Sequence, residues 1–206
     1  KSFKKKGIKV LTSSEVIESK VNDSGVELDV KSQNGDIIKI NSEIVLSAVG
    51  IKSNIENIGL EEIGINIEND KILVDEVYQT SVKGYYAIGD VVKGQSLAHV
   101  ASAEGILCVE KISGIDVSPL DYDNVPGCTY CSPEIASVGY TEEQAKEEGY
   151  KVKVGKFPFS ASGKASAAGA KDGFVKVIYD AEYGEWLGAH FIGANVTEMV
   201  AEAVAA

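Results

Sequence analysis

From Ile8 to Val49 the chain runs in short apolar stretches, and where apolar and polar positions alternate they predict strands with one covered face. The runs are Ile8 to Leu11, Glu15 to Val21, Val26 to Lys31, Ile37 to Ile40 and Glu43 to Val49, with turn chemistry at Asn22-Asp23-Ser24-Gly25 and Asn34-Gly35-Asp36. A small β-meander is expected. Its last run, Ile44-Val45-Leu46-Ser47-Ala48-Val49-Gly50, is continuously apolar, which predicts a strand covered on both faces.

Beyond Ile51 the pattern is mixed, with a loop over Asn54 to Leu60, strands near Ile72 to Val74 and over Tyr85 to Ile88, and a helix from Leu97 to about Ile112. That helix is apolar on nearly every side and leaves a thin polar stripe of Ser102, Glu104, Glu110 and Lys111, so burial in a larger body is expected. Its small residues, Ala98, Ala101, Ser102, Ala103 and Gly105, would admit something flat. From Leu120 onward the pattern is α+β. Strands are predicted over Ile135 to Tyr140, Val152 to Phe159, Gly173 to Tyr179 and Trp186 to Gly193. A helix starts at the capping box Thr141-Glu142-Glu143-Gln144 and ends at Gly149, and Thr197 is expected to cap a last helix, Glu198 to Ala206. This helix is still apolar at the last residue, which suggests a cut and not a natural terminus.

Composition changes this picture little. The 206 residues are 44% hydrophobic and 25% charged, an ordinary globular balance. No apolar run approaches the roughly 18 to 20 residues that span a bilayer, and no signal-peptide core follows Lys4-Lys5-Lys6, so no membrane role and a cytoplasmic location are expected. A net charge of -11 argues against nucleic acid and leaves room for a basic protein partner. Three cysteines speak against a disulfide framework. Cys128 and Cys131 have CxxC spacing, but no helix start follows them to lower a thiol pKa and no second ligand pair is near, so both are read as structural, as is Cys108 in the apolar helix.

Chemistry concentrates in Tyr85-Tyr86-Ala87-Ile88-Gly89-Asp90 and in Leu97-Ala98-His99, which opens the apolar helix. A strand ending in Gly-Asp, a loop and an uncommitted helix start can hold a sugar-alcohol hydroxyl on the carboxylate and an electron-rich ring oxygen on the amides, which is the shape of a flavin. These residues, with Val100-Ala101-Ser102-Ala103-Glu104-Gly105, resemble the second FAD-binding element of the dihydrolipoamide dehydrogenase family, class I of the pyridine nucleotide-disulfide oxidoreductases. The likeness runs end to end. Thr12-Ser13-Ser14-Glu15-Val16 and Ala48-Val49-Gly50 resemble the NAD domain, while Ser132-Pro133-Glu134-Ile135-Ala136-Ser137-Val138-Gly139-Tyr140, Lys156-Phe157-Pro158-Phe159 and Leu187-Gly188-Ala189-His190-Phe191 resemble the interface domain.

The resemblance implies α/β plus α+β architecture: a partial FAD/NAD-binding Rossmann-like domain with a β-meander, then the α+β interface domain of disulfide reductases. Residues 1–52 would close the NAD domain, 53–119 the FAD domain, and 120–206 would begin the dimerisation domain. Asp90 would hold a ribityl hydroxyl of FAD. Ser96, Leu97, Ala98 and His99 would offer amides to the pyrimidine edge, and Gly50 and Val16 would touch NAD. The implied enzyme is a homodimer that reoxidises dihydrolipoamide with NAD as acceptor, serving a lipoyl-bearing acyltransferase subunit of a 2-oxoacid dehydrogenase complex or the glycine cleavage lipoyl protein. Sister enzymes of the same fold are mercuric reductase, glutathione reductase and soluble transhydrogenase.

Several family features are missing. The chain has no GxGxxG, no cysteine pair with four residues between, and no His-Pro-x-x-x-Glu, so no catalytic residue is assigned and the chain alone is expected to be inactive and free of FAD and NAD. Gly50-Ile51-Lys52-Ser53 and Ser162-Gly163-Lys164-Ala165 depart from the family's Gly-Arg-x-Pro and Asn-x-Arg-Ala, and both lysines are read as surface residues. His99 and Glu104, five positions apart on a helix, face different sides and cannot pair. His190 is read as structural. The alternative is a cofactor-free, self-associating interface module.

Overall fold

In the computed structural model, which describes residues 2–206, a tight turn at Asp23-Ser24 closes a hairpin in which Asn22 pairs with Gly25. The Asn22 side chain accepts the Ser24 N–H at 2.9 Å, the local bond that makes Asn a turn former. The chain divides into two compact units, Lys1–Ile51 and Lys52–Ala206.

The first unit begins with a short helix α1 (Ser2–Lys5) and contains strands β1 (Glu15–Asn22), β2 (Gly25–Lys31) and β3 (Ile37–Ser42). They form an antiparallel sheet in the order β1-β2-β3, as the alternation predicts. Val30 is buried, and it is the one buried residue described in this unit. Two expected strands are not formed. Ile8 to Leu11 and Ile44 to Val49 lie outside any strand, and far from being covered on both faces, Leu46 is 88% and Val49 96% exposed. A continuously apolar strand needs ladder partners and two covering layers, and no described strand pairs with this run.

The second unit opens with a two-stranded ribbon, β4 (Ile67–Glu68) and β5 (Lys71–Ile72). The turn between them places Asn69 and Asp70 at positive φ, the hand that hairpin twist favours. Tyr85 to Ile88 is not a strand. Its pairing is limited to an isolated bridge between Gln79 and Tyr86, made by the Thr80 N–H to the Tyr85 carbonyl and the Ala87 N–H to the Tyr78 carbonyl, while the Tyr85 N–H closes a turn on the Val82 carbonyl. A 3-10 turn follows over Gly89–Val91, then helix α2 (Ala98–Ile112).

α2 buries Val100, Glu104, Leu107 and Cys108. It is not enclosed as expected: Ile106, Val109 and Ile112 are more than half exposed, whereas Glu104 of the supposed polar stripe is 1% exposed. Of its small residues, Ala101 and Gly105 pack on the chain itself, while Ala98 and Ser102 are exposed. A Cβ on Gly105 would come within 3.2 Å of Ile88, and one on Gly89 within 3.2 Å of Ala101.

The remaining elements are β6 (Gly127–Thr129), β7 (Glu134–Gly139), α3 (Glu142–Glu147), β8 (Val152–Pro158), α4 (Gly163–Ala167), β9 (Phe174–Asp180), β10 (Trp186–Gly193) and α5 (Val196–Ala205). β6 and α4 have no counterpart in the sequence pattern, since each is too short to establish a period. The strands form one antiparallel sheet in the order β6-β7-β10-β9-β8. α5 lies on β7 and β10, closing a core of Ala136, Val138, Phe159, Ala189, Phe191, Val196 and Val200. Each large side chain there contributes about 1.5 to 3 kcal/mol through burial.

The capping box forms as read: the Thr141 hydroxyl accepts the Gln144 N–H at 3.2 Å and the Gln144 side chain accepts the Thr141 N–H at 2.9 Å. Thr197 does not cap the last helix. The cap position is Asn195, in the left-handed conformation, and the Thr197 N–H and hydroxyl both donate to Glu134 on β7, at 3.2 and 2.8 Å. A carboxylate from the sheet thus serves the helix N-terminus, and these bonds hold the Glu134 carboxyl below its ordinary range.

Candidate functional site

Asp90 and the start of α2 are the two ends of one loop, Gly89 to Leu97. Gly89 has φ +73°, a conformation that L side chains rarely adopt, and it packs against Ala101 in the first turn of α2. That contact brings the Gly-Asp turn to the helix start. The Asp90 carbonyl is held by the Lys71 ammonium at 2.6 Å and the Ser53 hydroxyl at 3.1 Å. Ser53 is itself fixed, its N–H donating to the Asp70 carboxylate at 2.7 Å. The Asp90 side chain is exposed and takes part in none of these bonds.

At the other end of the loop no side chain caps α2. The first intrahelical bond runs from the Ala101 N–H to the Leu97 carbonyl, so the amides of Ala98, His99 and Val100 have no partner within the helix. Ser96, Ala98 and His99 are exposed and Leu97 is half-buried. His99 stands in solvent while Glu104 is inside, so the two do not pair. An exposed carboxylate with no partner among the described residues at one end of a loop, and an uncapped, positive helix start at the other, fit a ligand that carries hydroxyls at one place and an electron-rich edge at another.

The carboxylate that the sequence pattern misses is Glu104. Its Oε2 accepts the Gly89 N–H at 2.6 Å and its Oε1 accepts the Tyr122 hydroxyl at 2.6 Å. The Tyr78 hydroxyl lies 3.1 Å from that of Tyr122. Burial, and then the bond to Glu104, push the Tyr122 hydroxyl above its ordinary range, so it stays a donor. Helical periodicity places Glu104 among polar neighbours, and nothing local announces that its partners lie 15 residues before and 18 after.

The remaining candidates lie elsewhere. Val16 sits on β1 opposite Val30 and is 56% exposed. Gly50, at φ +112°, belongs to the irregular segment after β3. Neither offers a helix start or a charge, so these residues do not by themselves form a nucleotide cradle. Lys52 pairs with Glu56. Lys164 lines a cleft of about 600 Å³ with Phe157, Phe159, Met199 and Glu202, and that cleft contains no site candidate. The Cys128 thiol is pushed up by burial and then by Glu134 and Glu198, while Cys131 donates to the Pro133 carbonyl at 3.0 Å. All three cysteines are free thiols. His190 is satisfied by the Tyr140 carbonyl at 2.9 Å, as a structural histidine should be. Among the described residues no cluster suits a metal ion and no helix is long and apolar enough to cross a membrane.

Comparison with known proteins gives two family models, pyridine nucleotide-disulphide oxidoreductase over residues 1–105 and the dimerisation domain of the same family over residues 125–206. The dihydrolipoyl dehydrogenase of Zymomonas mobilis is 47% identical over 201 residues, covering 97% of this chain and 43% of that protein. That of Bacillus subtilis is 46% identical, covering 98% and 43%. Among solved structures, LpdA from Mycobacterium tuberculosis superposes with a TM-score of 0.86 at 23% identity, covering 99% of this chain and 44% of that one. The HOCl-induced flavoprotein disulfide reductase RclA from Escherichia coli gives 0.84 at 22%, covering 98% and 46%. These two structures share the fold. The chain spans less than half the length of each of these relatives.

Proposed function

The chain belongs to the pyridine nucleotide-disulphide oxidoreductase family, and from that premise we propose that it is the central-to-late part of a dihydrolipoyl dehydrogenase, contributing one wall of the FAD site and part of the dimerisation domain. The carrying observation is the Gly89–Leu97 loop, with an unpartnered Asp90 carboxylate at one end and the uncapped start of α2 at the other. Asp90 accepts a hydrogen bond from a ribityl hydroxyl. The amides of Ala98 and His99, with Ser96 just before the helix, would serve the pyrimidine edge and stabilise negative charge there, whereas the Leu97 N–H, expected to join them, is taken by the Gln95 carbonyl at 2.8 Å. When bound, FAD supplies the electron transfer between a dithiol and NAD.

Residues 1–52, 53–119 and 120–206 are assigned to the NAD, FAD and dimerisation domains respectively. In the whole enzyme, which would be a cytoplasmic homodimer, dihydrolipoamide on a lipoyl-bearing partner is oxidised to lipoamide with NAD as acceptor. Gly50 and Val16 are assigned to the NAD side.

The test is a fusion in which this chain replaces the matched stretch of the Zymomonas mobilis relative, with that protein's own residues kept before and after it. The fusion is expected to purify with visible flavin absorbance and to oxidise dihydrolipoamide with NAD, while the chain alone is colourless. A folded, dimeric fusion without flavin overturns the FAD reading and leaves the self-associating module.

A further inference from the structure

Glu104 has no role in holding the flavin as described above, yet it is the most buried carboxylate described in the second unit. Charged side chains are seldom enclosed without partners, and both of its oxygens are occupied, by the Gly89 N–H and the Tyr122 hydroxyl. The same network reaches the far end of the loop. Tyr122 packs on Gly94, where a Cβ would come within 3.2 Å of its ring, and its carbonyl receives the Gln95 side chain at 3.4 Å. Glu104 and Tyr122 therefore brace the Gly89–Leu97 loop at its first residue and again near its last.

We propose that Glu104 is a positioning residue: its carboxylate, oriented by Tyr122, fixes the Gly89 N–H and so sets the direction in which Asp90 faces FAD. This rests on the reading of Asp90 given above. Lys71 holds the carbonyl side of the same turn, so the two side chains grip one peptide segment from its donor and its acceptor. Alanine at 104 leaves the Gly89 N–H without its acceptor and the Tyr122 hydroxyl with Tyr78 alone. Glutamine keeps an acceptor for one of them.

The experiment is amide hydrogen exchange followed by NMR on the full chain, comparing wild type with Glu104→Ala, Glu104→Gln and Tyr122→Phe. Loss of a hydrogen bond to a charged acceptor is expected to speed Gly89 exchange about ten- to a hundredfold in Glu104→Ala. Glu104→Gln should restore most of the protection, and the amides of Ile178 and Ala189 in the large sheet should stay unmoved. Unchanged Gly89 exchange in Glu104→Ala, or an equal rise at the sheet amides, overturns the proposal. Should Glu104→Ala fail to fold, Tyr122→Phe decides: a several-fold rise confined to Gly89 sustains it, and no rise defeats it. The flavin reading fails separately, through a wild-type fusion that retains no flavin while Gly89 still answers to Glu104.

Discussion

The two larger antiparallel sheets are of similar local quality and stand in very different surroundings. β1 to β3 have turns and a ladder interrupted by one register shift between Val16 and Glu18, yet they enclose a single described buried residue, Val30. β6 to β10 carry α5 on one face and a core that includes Phe159, Phe191 and Val200. Hydrogen bonds and turn chemistry suffice to give a sheet its shape, and a covering layer gives it most of its stability, because the net gain per hydrogen bond is small beside that of a buried side chain.

The largest expected effect tests this directly. Phe191→Ala should cost about 3 to 5 kcal/mol in chemical denaturation of the second unit, whereas Leu46→Ala should change stability by less than about 0.5 kcal/mol. A loss of several kcal/mol at Leu46 would show that Ile44 to Val49 is packed in solution and would break the contrast. Next in size, Thr141→Ala removes one half of the capping box and should cost about 1 kcal/mol, read from the same curves.

Asp90→Ala sharpens the contrast between stability and use. The side chain is exposed and unpartnered, so the melting temperature of the chain should stay within error, while the flavin fusion loses its visible absorbance. Equal flavin retention in that variant would remove Asp90 from the site.

The smallest effect is set by pH. Glu142 bonds to Lys146 and Lys176 at 2.7 and 2.8 Å, which holds its carboxyl at about 2, below the ordinary 4.5. A lowered carboxylate contributes its full stability above the unfolded value and loses it as pH falls through the folded one. The stability difference between wild type and Glu142→Gln should therefore be flat above about pH 5 and shrink toward pH 2. Salt should reduce it, since the group is half-buried and its partner Lys146 stands in solvent.

Much of this architecture was legible in the residues. Turns and alternation located β1 to β3 and β7 to β10, and the capping box located α3, because each of those signals is local. Ile44 to Val49 was expected to be a strand, and its apolar content does favour one, but strand formation needs neighbours that no described residue provides. Tyr85 to Ile88 was expected to be a strand and pairs only at Tyr86, beside the turn that Tyr85 closes on Val82. Thr197 looked like a cap and donates to Glu134, and Glu104 looked like a surface stripe and sits inside. For Thr197 and Glu104 a partner remote in sequence decided the outcome, and a period or a spacing carries no information about it. At the site, the loop ends Asp90 and Leu97 to His99 could be named from the sequence, and the brace that joins them could not.

The exposed run Ile44 to Val49 also governs how copies of this chain behave in a test tube. Six residues with high β-propensity, no charge and no proline are a template for edge-to-edge association. The net charge of -11 opposes that by keeping molecules apart. Electrostatic repulsion reaches about 10 Å at 0.1 M salt and about 3 Å at 1 M. Concentrated samples should therefore stay clear in dilute buffer and turn cloudy as salt is raised, and a single lysine or glutamate placed at Leu46 should keep them clear.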